Sequence, residues 1–184
     1  MKKMWTLASV VLLFSFAFAA VAAELQSGLK VGDEVGAFEV TDVTGPNKGK
    51  SLCYRCSYGS RPVVGLFTRQ VDEKLAKLVK ELDGVVAENS GKKMAGFVIV
   101  MAEDAAKLTP QLEELAKKHD IKNIPLTIYN GKNGPEDYKL SPDANLTVLM
   151  WNKGEVKSNT ALDKDGLNDK AIESIVADTA VLLK

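Results

Sequence analysis

The sequence of 184 residues contains only two cysteines and one histidine, too few to complete a four-ligand zinc site from these residue types alone. It has no excess of positive charge, since 24 lysines and arginines balance 24 aspartates and glutamates. Such a balance does not indicate nucleic acid or an anionic membrane surface as a partner. Motifs for a serine hydrolase, a phosphate-binding glycine loop and a zinc protease are also absent. We therefore expect no bound cofactor or metal.

A long apolar run occurs only at the N-terminus. Met1–Lys3 is positively charged, residues 4–21 are apolar apart from one threonine and two serines, and small residues continue to Ala22 and Ala23. This arrangement is typical of a secretory signal peptide. We predict that residues 1–23 are a signal peptide and that residues 24–184 form one exported domain, periplasmic or secreted, without membrane contact after cleavage. An uncleaved membrane anchor is the alternative.

The two cysteines, Cys53 and Cys56, form a Cys-x-x-Cys pair. An exported protein meets an oxidising environment, so we expect them to be joined as a disulfide. Thiolates at this spacing can exchange with another disulfide, and the charges of Arg55 and Arg61 would favour the thiolate form. By position Cys53 would be the nucleophile and Cys56 the resolving thiol, although the sequence cannot order them.

A structural disulfide is the alternative interpretation of this pair. It would tie down the loop before the next strand, although closing so short a loop stabilises a protein only weakly through chain entropy. A metal or persulfide site is a third alternative.

Three further side chains are candidates for a functional site. Tyr54 and Tyr58 flank the cysteines and could line a groove, but we interpret them as packing residues with solvated hydroxyls. His119 could act as a base, but its place at a predicted helix end favours a role at the helix C-terminus.

Hydrophobic periodicity predicts a mixed α/β domain. The cysteines and the residues up to 61 are predicted to form a loop. Alternation of strands and helices in the middle of the chain predicts parallel strands, and a hairpin near the end adds antiparallel ones. The expected architecture is a mixed sheet with helices on both faces. Strands are predicted at 37–43, 62–67, 95–101, 124–129 and 146–157 (a hairpin), and helices at 70–89, from 109 to about 119, and from about 167 onward.

The order of these elements resembles the thioredoxin fold in its peroxiredoxin-like form. The resemblance is carried by Pro62–Phe67, by Ala95–Met101 and by the hairpin Leu146–Val156 before a final helix. It extends from about residue 31 to the end and is topological rather than a dense motif match. It implies a thioredoxin-like α/β fold, with redox chemistry directly after the first core strand.

Two positions depart from the family pattern. Residues 67–73 follow the first core strand but contain no cysteine, and residues 145–147 contain no proline where the family places a cis-proline. Pro125 precedes the previous strand instead. Neither the usual nucleophile nor the usual substrate-holding turn carries over, so we expect no peroxidase activity of the usual kind.

The leading functional hypothesis is thiol–disulfide exchange in the cell envelope through Cys53 and Cys56, with another envelope protein as the thiol or disulfide partner. The alternative is a non-catalytic thioredoxin-like binding or scaffold module in which the disulfide is structural. Resemblance of fold alone does not decide between them.

Overall fold

The computed structural model describes residues 25–184, so the predicted signal peptide lies outside the described residues. Seven strands form one mixed sheet in the order β2-β1-β5-β4-β3-β6-β7. Within the described range, none of the helices combines the length and the apolar character needed to cross a bilayer. The strands are β1 Val40–Asp42, β2 Ser51–Leu52, β3 Val63–Thr68, β4 Ala95–Ala102, β5 Leu126–Asn130, β6 Leu146–Asn152 and β7 Glu155–Leu162.

Strand directions match the sequence-based expectation. The central strands β3, β4 and β5 are parallel, and the hairpin β6–β7 adds two antiparallel strands beside β3. On the other side, β1 and β2 extend the sheet in antiparallel pairing from β5. The helices are α1 Tyr54–Tyr58, α2 Glu73–Glu88, α3 Ala105–Lys118 and α4 Asp169–Asp178, with short 3-10 helices at Ser90–Lys92, Glu136–Tyr138 and Thr179–Leu183.

The two faces of the sheet are covered unequally. Val64 and Leu66 of β3 face a core shared with α2, α3 and α4, whereas Val63 and Phe67 face a second core that includes Tyr54 of α1. Strands β3, β4 and β5 follow one another in a single direction across the sheet, so right-handed crossovers place α2 and α3 on the same face. Helices α2, α3 and α4 pack against the first face. The second face is covered by the short helix α1, the 3-10 helix Glu136–Tyr138 and the N-terminal segment, so helices lie on both faces as expected.

Helix α2 forms where the apolar stripe predicted it. The Asp72 side chain accepts a hydrogen bond from the Leu75 backbone N–H at 2.8 Å and caps the first turn. Leu75, Leu78 and Leu82 are buried against the sheet. Burial of each such leucine contributes about 1.5–3 kcal/mol, so tertiary packing holds this helix in place.

Helix α3 begins one turn earlier than predicted. We expected Thr109 and Pro110 to start it, but the helix starts at Ala105, and the Asp104 side chain accepts from the Lys107 backbone N–H at 3.3 Å. Asp104 is as good a capping residue as threonine. Thr109 instead donates its hydroxyl to the Ala105 carbonyl at 2.9 Å, inside the helix.

Candidate functional site

Helix α1 carries the Cys-x-x-Cys pair, which corrects the prediction that this segment is a loop. Cys53 is the N-cap residue, and its Sγ accepts a hydrogen bond from the Cys56 backbone N–H at 3.0 Å. The Ser57 hydroxyl donates to the Cys53 carbonyl at 3.0 Å, and Gly59, with φ of 58°, ends the helix. Five residues are too few to show helical periodicity, so the sequence pattern could not reveal this helix.

Cys53 and Cys56 are joined as the expected disulfide. The S–S distance is 2.04 Å and the Cα atoms are 5.2 Å apart, both within the normal range. Cys56 is exposed to solvent, whereas Cys53, which directly follows β2, is half-buried. Cys56 is therefore the more accessible residue of the pair.

Tyr54 anchors α1 in the core. Its side chain is buried, and its hydroxyl donates to Asp42 Oδ2 at 2.8 Å. Asp42 also accepts the backbone N–H groups of Gly45 and Asn47, at 2.7 and 2.8 Å. Burial, and then the hydrogen bond to the Asp42 carboxylate, raise the pKa of Tyr54 far above its ordinary value. Tyr54 is a packing residue as predicted, but its hydroxyl contacts a buried carboxylate rather than water.

Tyr58 anchors the other end of α1. Its hydroxyl donates to the Gly96 carbonyl at 3.3 Å, and its ring centroid lies 5.3 Å from that of Tyr54. The Arg61 guanidinium sits 5.2 Å above the Tyr58 ring and donates through Nε to the Lys93 carbonyl at 2.7 Å. Burial raises the pKa of Tyr58, and the Arg61 charge offsets only part of that rise. The solvated hydroxyl predicted for Tyr58 is therefore also wrong.

Arg55, between the two cysteines, ties α1 to two other segments. Its Nε donates to the Val35 carbonyl at 3.1 Å. Its guanidinium also packs against the turn between β6 and β7, where a Cβ added to Gly154 would come within 2.9 Å of Nη2. Three side chains thus hold α1 without the disulfide: Arg55 and Tyr58 bond to backbone carbonyls, and Tyr54 bonds to the Asp42 carboxylate.

The edge of the sheet where the resemblance places redox chemistry is closed. The Arg69 backbone N–H donates to the Asn145 carbonyl at 3.1 Å, and its side chain donates to the carbonyls of Lys132 and Ala144. Asn145 Nδ2 in turn donates to Gln70 Oε1 at 3.0 Å. The cavity beside these residues measures about 10 Å³, no more than a single water molecule requires. No cavity large enough for a small-molecule substrate therefore lies between these residues.

The disulfide lies at the opposite end of β3 from that edge. Helix α1 precedes Val63, the first residue of β3, and the closed edge follows Thr68, the last. The six residues of β3, a strand roughly 20 Å long, lie between the two in the chain. Neither of the two larger cavities, of about 720 and 510 Å³, has a cysteine in its lining. Neither cysteine therefore lines these cavities, although Ser51, two residues before Cys53, lines the second.

His119 has the structural place that its position predicted. It is the C-cap residue of α3, and its Nε2 lies 3.1 Å from Oε2 of Glu73 at the start of α2. Lys118 contacts the same carboxylate. Across residues 25–184, no group of three histidine, cysteine or acidic side chains is arranged to hold a metal ion.

Comparison with solved structures shows the fold. A protein from Chlorobium tepidum provisionally described as the thiol:disulfide interchange protein DsbE has a TM-score of 0.65 at 12% identity, covering 85% of this chain and 99% of that one. A protein from Bacteroides thetaiotaomicron provisionally described as a protein disulfide isomerase scores 0.63 at 18% identity, covering 86% and 94%. The peroxidoxin BcpB from Mycobacterium tuberculosis scores 0.59 at 17% identity, covering 84% and 97%.

No protein-family model and no curated protein sequence matches the chain. The solved structures that it resembles include both thiol–disulfide oxidoreductases and peroxiredoxins, in agreement with the resemblance noted in the sequence. Strand order, the crossover helices and the terminal hairpin agree with that assignment. The chain has a thioredoxin-like α/β fold with a peroxiredoxin-like arrangement of strands.

Proposed function

We propose that this protein exchanges thiols and disulfides with a partner protein through Cys53 and Cys56. The observation that carries the proposal is an accessible disulfide on a helix that other contacts already hold. Cys56 is exposed, and the bond closes a loop with a sequence separation of only three. Chain-entropy arguments give such a loop about 2 kcal/mol, at the low end for disulfides.

The contacts of α1 allow the disulfide to open without loss of the fold. Tyr54 is held by Asp42, Tyr58 by the Gly96 carbonyl and Arg55 by the Val35 carbonyl. None of these hydrogen bonds involves a sulfur atom. Reduction would therefore leave two thiols on a helix that keeps its position, as reversible exchange requires.

A partner protein fits the shape of this site better than a small molecule. Small ligands bind in concave pockets, whereas neither cysteine lines the two larger cavities and Cys56 is exposed. The reaction would proceed by attack of a partner thiolate, formation of a mixed disulfide and release by a second thiol. Export through residues 1–23, to the periplasm or beyond the cell, would supply the oxidising surroundings in which the oxidised pair persists.

The second candidate is a non-catalytic binding or scaffold module with a structural disulfide. It is favoured by the location of the pair before β3, whereas the family resemblance places redox chemistry directly after this strand. That edge is closed by Arg69 and Asn145. On this view, the disulfide would resist reduction in the folded protein.

The equilibrium reduction potential of the Cys53–Cys56 pair separates the two candidates. The mature protein is equilibrated in graded glutathione or dithiothreitol buffers, and free thiols are alkylated and counted. A potential of roughly −120 to −270 mV is expected for an exchange protein. A potential below about −300 mV, or thiols that are alkylated only after unfolding, would establish the structural role. The Cys53→Ser/Cys56→Ser variant gives the alkylation background.

A further inference from the structure

We propose that Cys56, and not Cys53, forms the mixed disulfide with the partner, and that Cys53 is the resolving thiol. This assignment rests on the proposed exchange function and reverses the order expected from the sequence. It is supported by the greater exposure of Cys56 and by the hydrogen bond that Cys53 accepts.

Accessibility favours attack on Cys56. An attacking thiolate approaches a disulfide along the extension of the S–S bond, on the side away from the departing sulfur. Cys56 is exposed on α1, so its far side opens to solvent. Cys53 is half-buried between β2 and the buried Tyr54, which restricts the approach to its sulfur. The rate of exchange depends on access to the attacked sulfur.

Hydrogen bonding makes Cys53 the better leaving group. Its Sγ accepts the Cys56 backbone N–H at 3.0 Å, and that donor would remain to stabilise a Cys53 thiolate. Among the described residues, no hydrogen-bond donor reaches Cys56 Sγ. A disulfide opens faster when the departing thiolate is stabilised, so the bond opens with Cys53 leaving.

With these roles, bonds, electrons and protons balance over the full exchange reaction. A partner thiolate attacks Cys56 Sγ, the Cys53–Cys56 bond breaks, and its electron pair leaves on Cys53 as a thiolate. A second partner thiolate then attacks the partner sulfur of the mixed disulfide and releases Cys56 as a thiolate. The partner loses two electrons and becomes a disulfide, and the Cys53–Cys56 pair gains two electrons and takes up two protons. In the reverse direction, Cys56 attacks the partner disulfide and Cys53 resolves it.

The sequence permits a direct test on the unmodified mature protein. The oxidised protein is mixed briefly with reduced glutathione, quenched with acid, alkylated and digested with trypsin. Cleavage after Arg55 separates the cysteines, with Cys53 in the peptide 51–55 and Cys56 in the peptide 56–69, because Pro62 protects the bond after Arg61. Mass spectrometry then measures how much glutathione each cysteine carries.

We expect glutathione on Cys56 in at least about tenfold excess over Cys53. In denaturant, where both cysteines are equally accessible, the excess should fall to about one. Equal labelling in the folded protein, a majority on Cys53, or an excess that persists in denaturant would overturn the assignment. A disulfide that glutathione opens only after unfolding would instead overturn the exchange function itself, and the assignment with it.

Discussion

At the scale of single residues, Tyr54 and Asp42 connect the disulfide helix to the sheet. The Asp42 carboxylate accepts three hydrogen bonds, two from the turn after β1 and one from the Tyr54 hydroxyl. One buried side chain thus organises both the β1–β2 turn and the segment that begins with Cys53. Neighbouring rings complete the contact, since the centroid of Tyr54 lies 5.4 Å from that of Phe97.

We predict that Tyr54→Phe lowers the free energy of unfolding by about 1–2 kcal/mol. The variant removes one donor and leaves the buried Asp42 carboxylate with one hydrogen bond fewer. Urea unfolding followed by fluorescence of Trp151, the only tryptophan after residue 5, measures the change. Tyr58→Phe is the matched control and should have a smaller effect, since that hydrogen bond is longer and less buried. An unchanged midpoint for Tyr54→Phe would contradict this account.

Arg69 shows how one residue can close a site. It stands at the edge where the family resemblance places the reactive cysteine, and its side chain donates to two backbone carbonyls of other segments. Its partial burial lowers the pKa of the guanidinium from its usual value. The closure comes from hydrogen bonding, which the residue type alone does not indicate.

At the scale of elements, the five-residue helix α1 makes several tertiary contacts through its side chains. Its five residues include two aromatic side chains that reach the core and an arginine that reaches the N-terminal segment. A helix of this length is not stable alone, so these tertiary contacts keep it folded. The disulfide adds to a structure that these contacts already hold.

We predict that Cys53→Ser/Cys56→Ser stays folded and loses about 2 kcal/mol of stability. The loss corresponds to the loop-closure entropy of a short ring, while the anchors of α1 remain. Denaturant melts of the oxidised protein and the variant provide the comparison. If the variant is unfolded in buffer, the disulfide holds the fold together and the structural alternative gains support.

The contact between α2 and α3 should make stability depend weakly on pH. The hydrogen bond from Lys118, and the charges of Lys118 and His119, lower the pKa of Glu73. Because the folded pKa is below the unfolded one, the unfolded state takes up this proton first as the pH falls. The stabilisation is therefore present above the ordinary carboxylate range, near pH 4, and is lost at lower pH.

Glu73→Gln provides the measurement. The difference in unfolding free energy between the native protein and this variant should be small and positive at pH 7, since the groups are exposed. It should shrink towards zero at about pH 3. Glu81→Gln, which removes a carboxylate elsewhere on the same helix, is the matched control. A difference that grows as the pH falls would contradict the assigned direction.

At the scale of the whole molecule, the segments before and after the central strand β3 differ in structure. One end of β3 carries an exposed disulfide, and the other end is sealed by Arg69, Gln70 and Asn145. The protein thus has the thioredoxin-like sheet with its cysteines moved to the opposite end of the central strand.

We predict no peroxidase turnover by the mature protein. Residues 67–73 contain no cysteine, and the cavity at that edge measures only about 10 Å³. A thiol-coupled assay of hydrogen peroxide consumption should show equal rates for the native protein and for Cys53→Ser/Cys56→Ser. Consumption that requires Cys53 or Cys56 would show that the displaced pair has taken over the peroxidase chemistry.

The sequence by itself determined the mixed α/β architecture of the sheet and the presence of a Cys-x-x-Cys pair. Buried runs such as those of β3 and β4, and the apolar stripe of α2, carry their periodicity in consecutive residues. Only the tertiary structure decided that Cys56 is the more exposed cysteine. It also decided that Arg69 and Asn145 close the edge after β3, where the family resemblance places redox chemistry. Those features depend on partners far along the chain, such as Tyr58 with Gly96 at a separation of 38 residues and Arg69 with Ala144 at 75. Local pattern cannot specify such pairs, because the folding of the sheet brings them together.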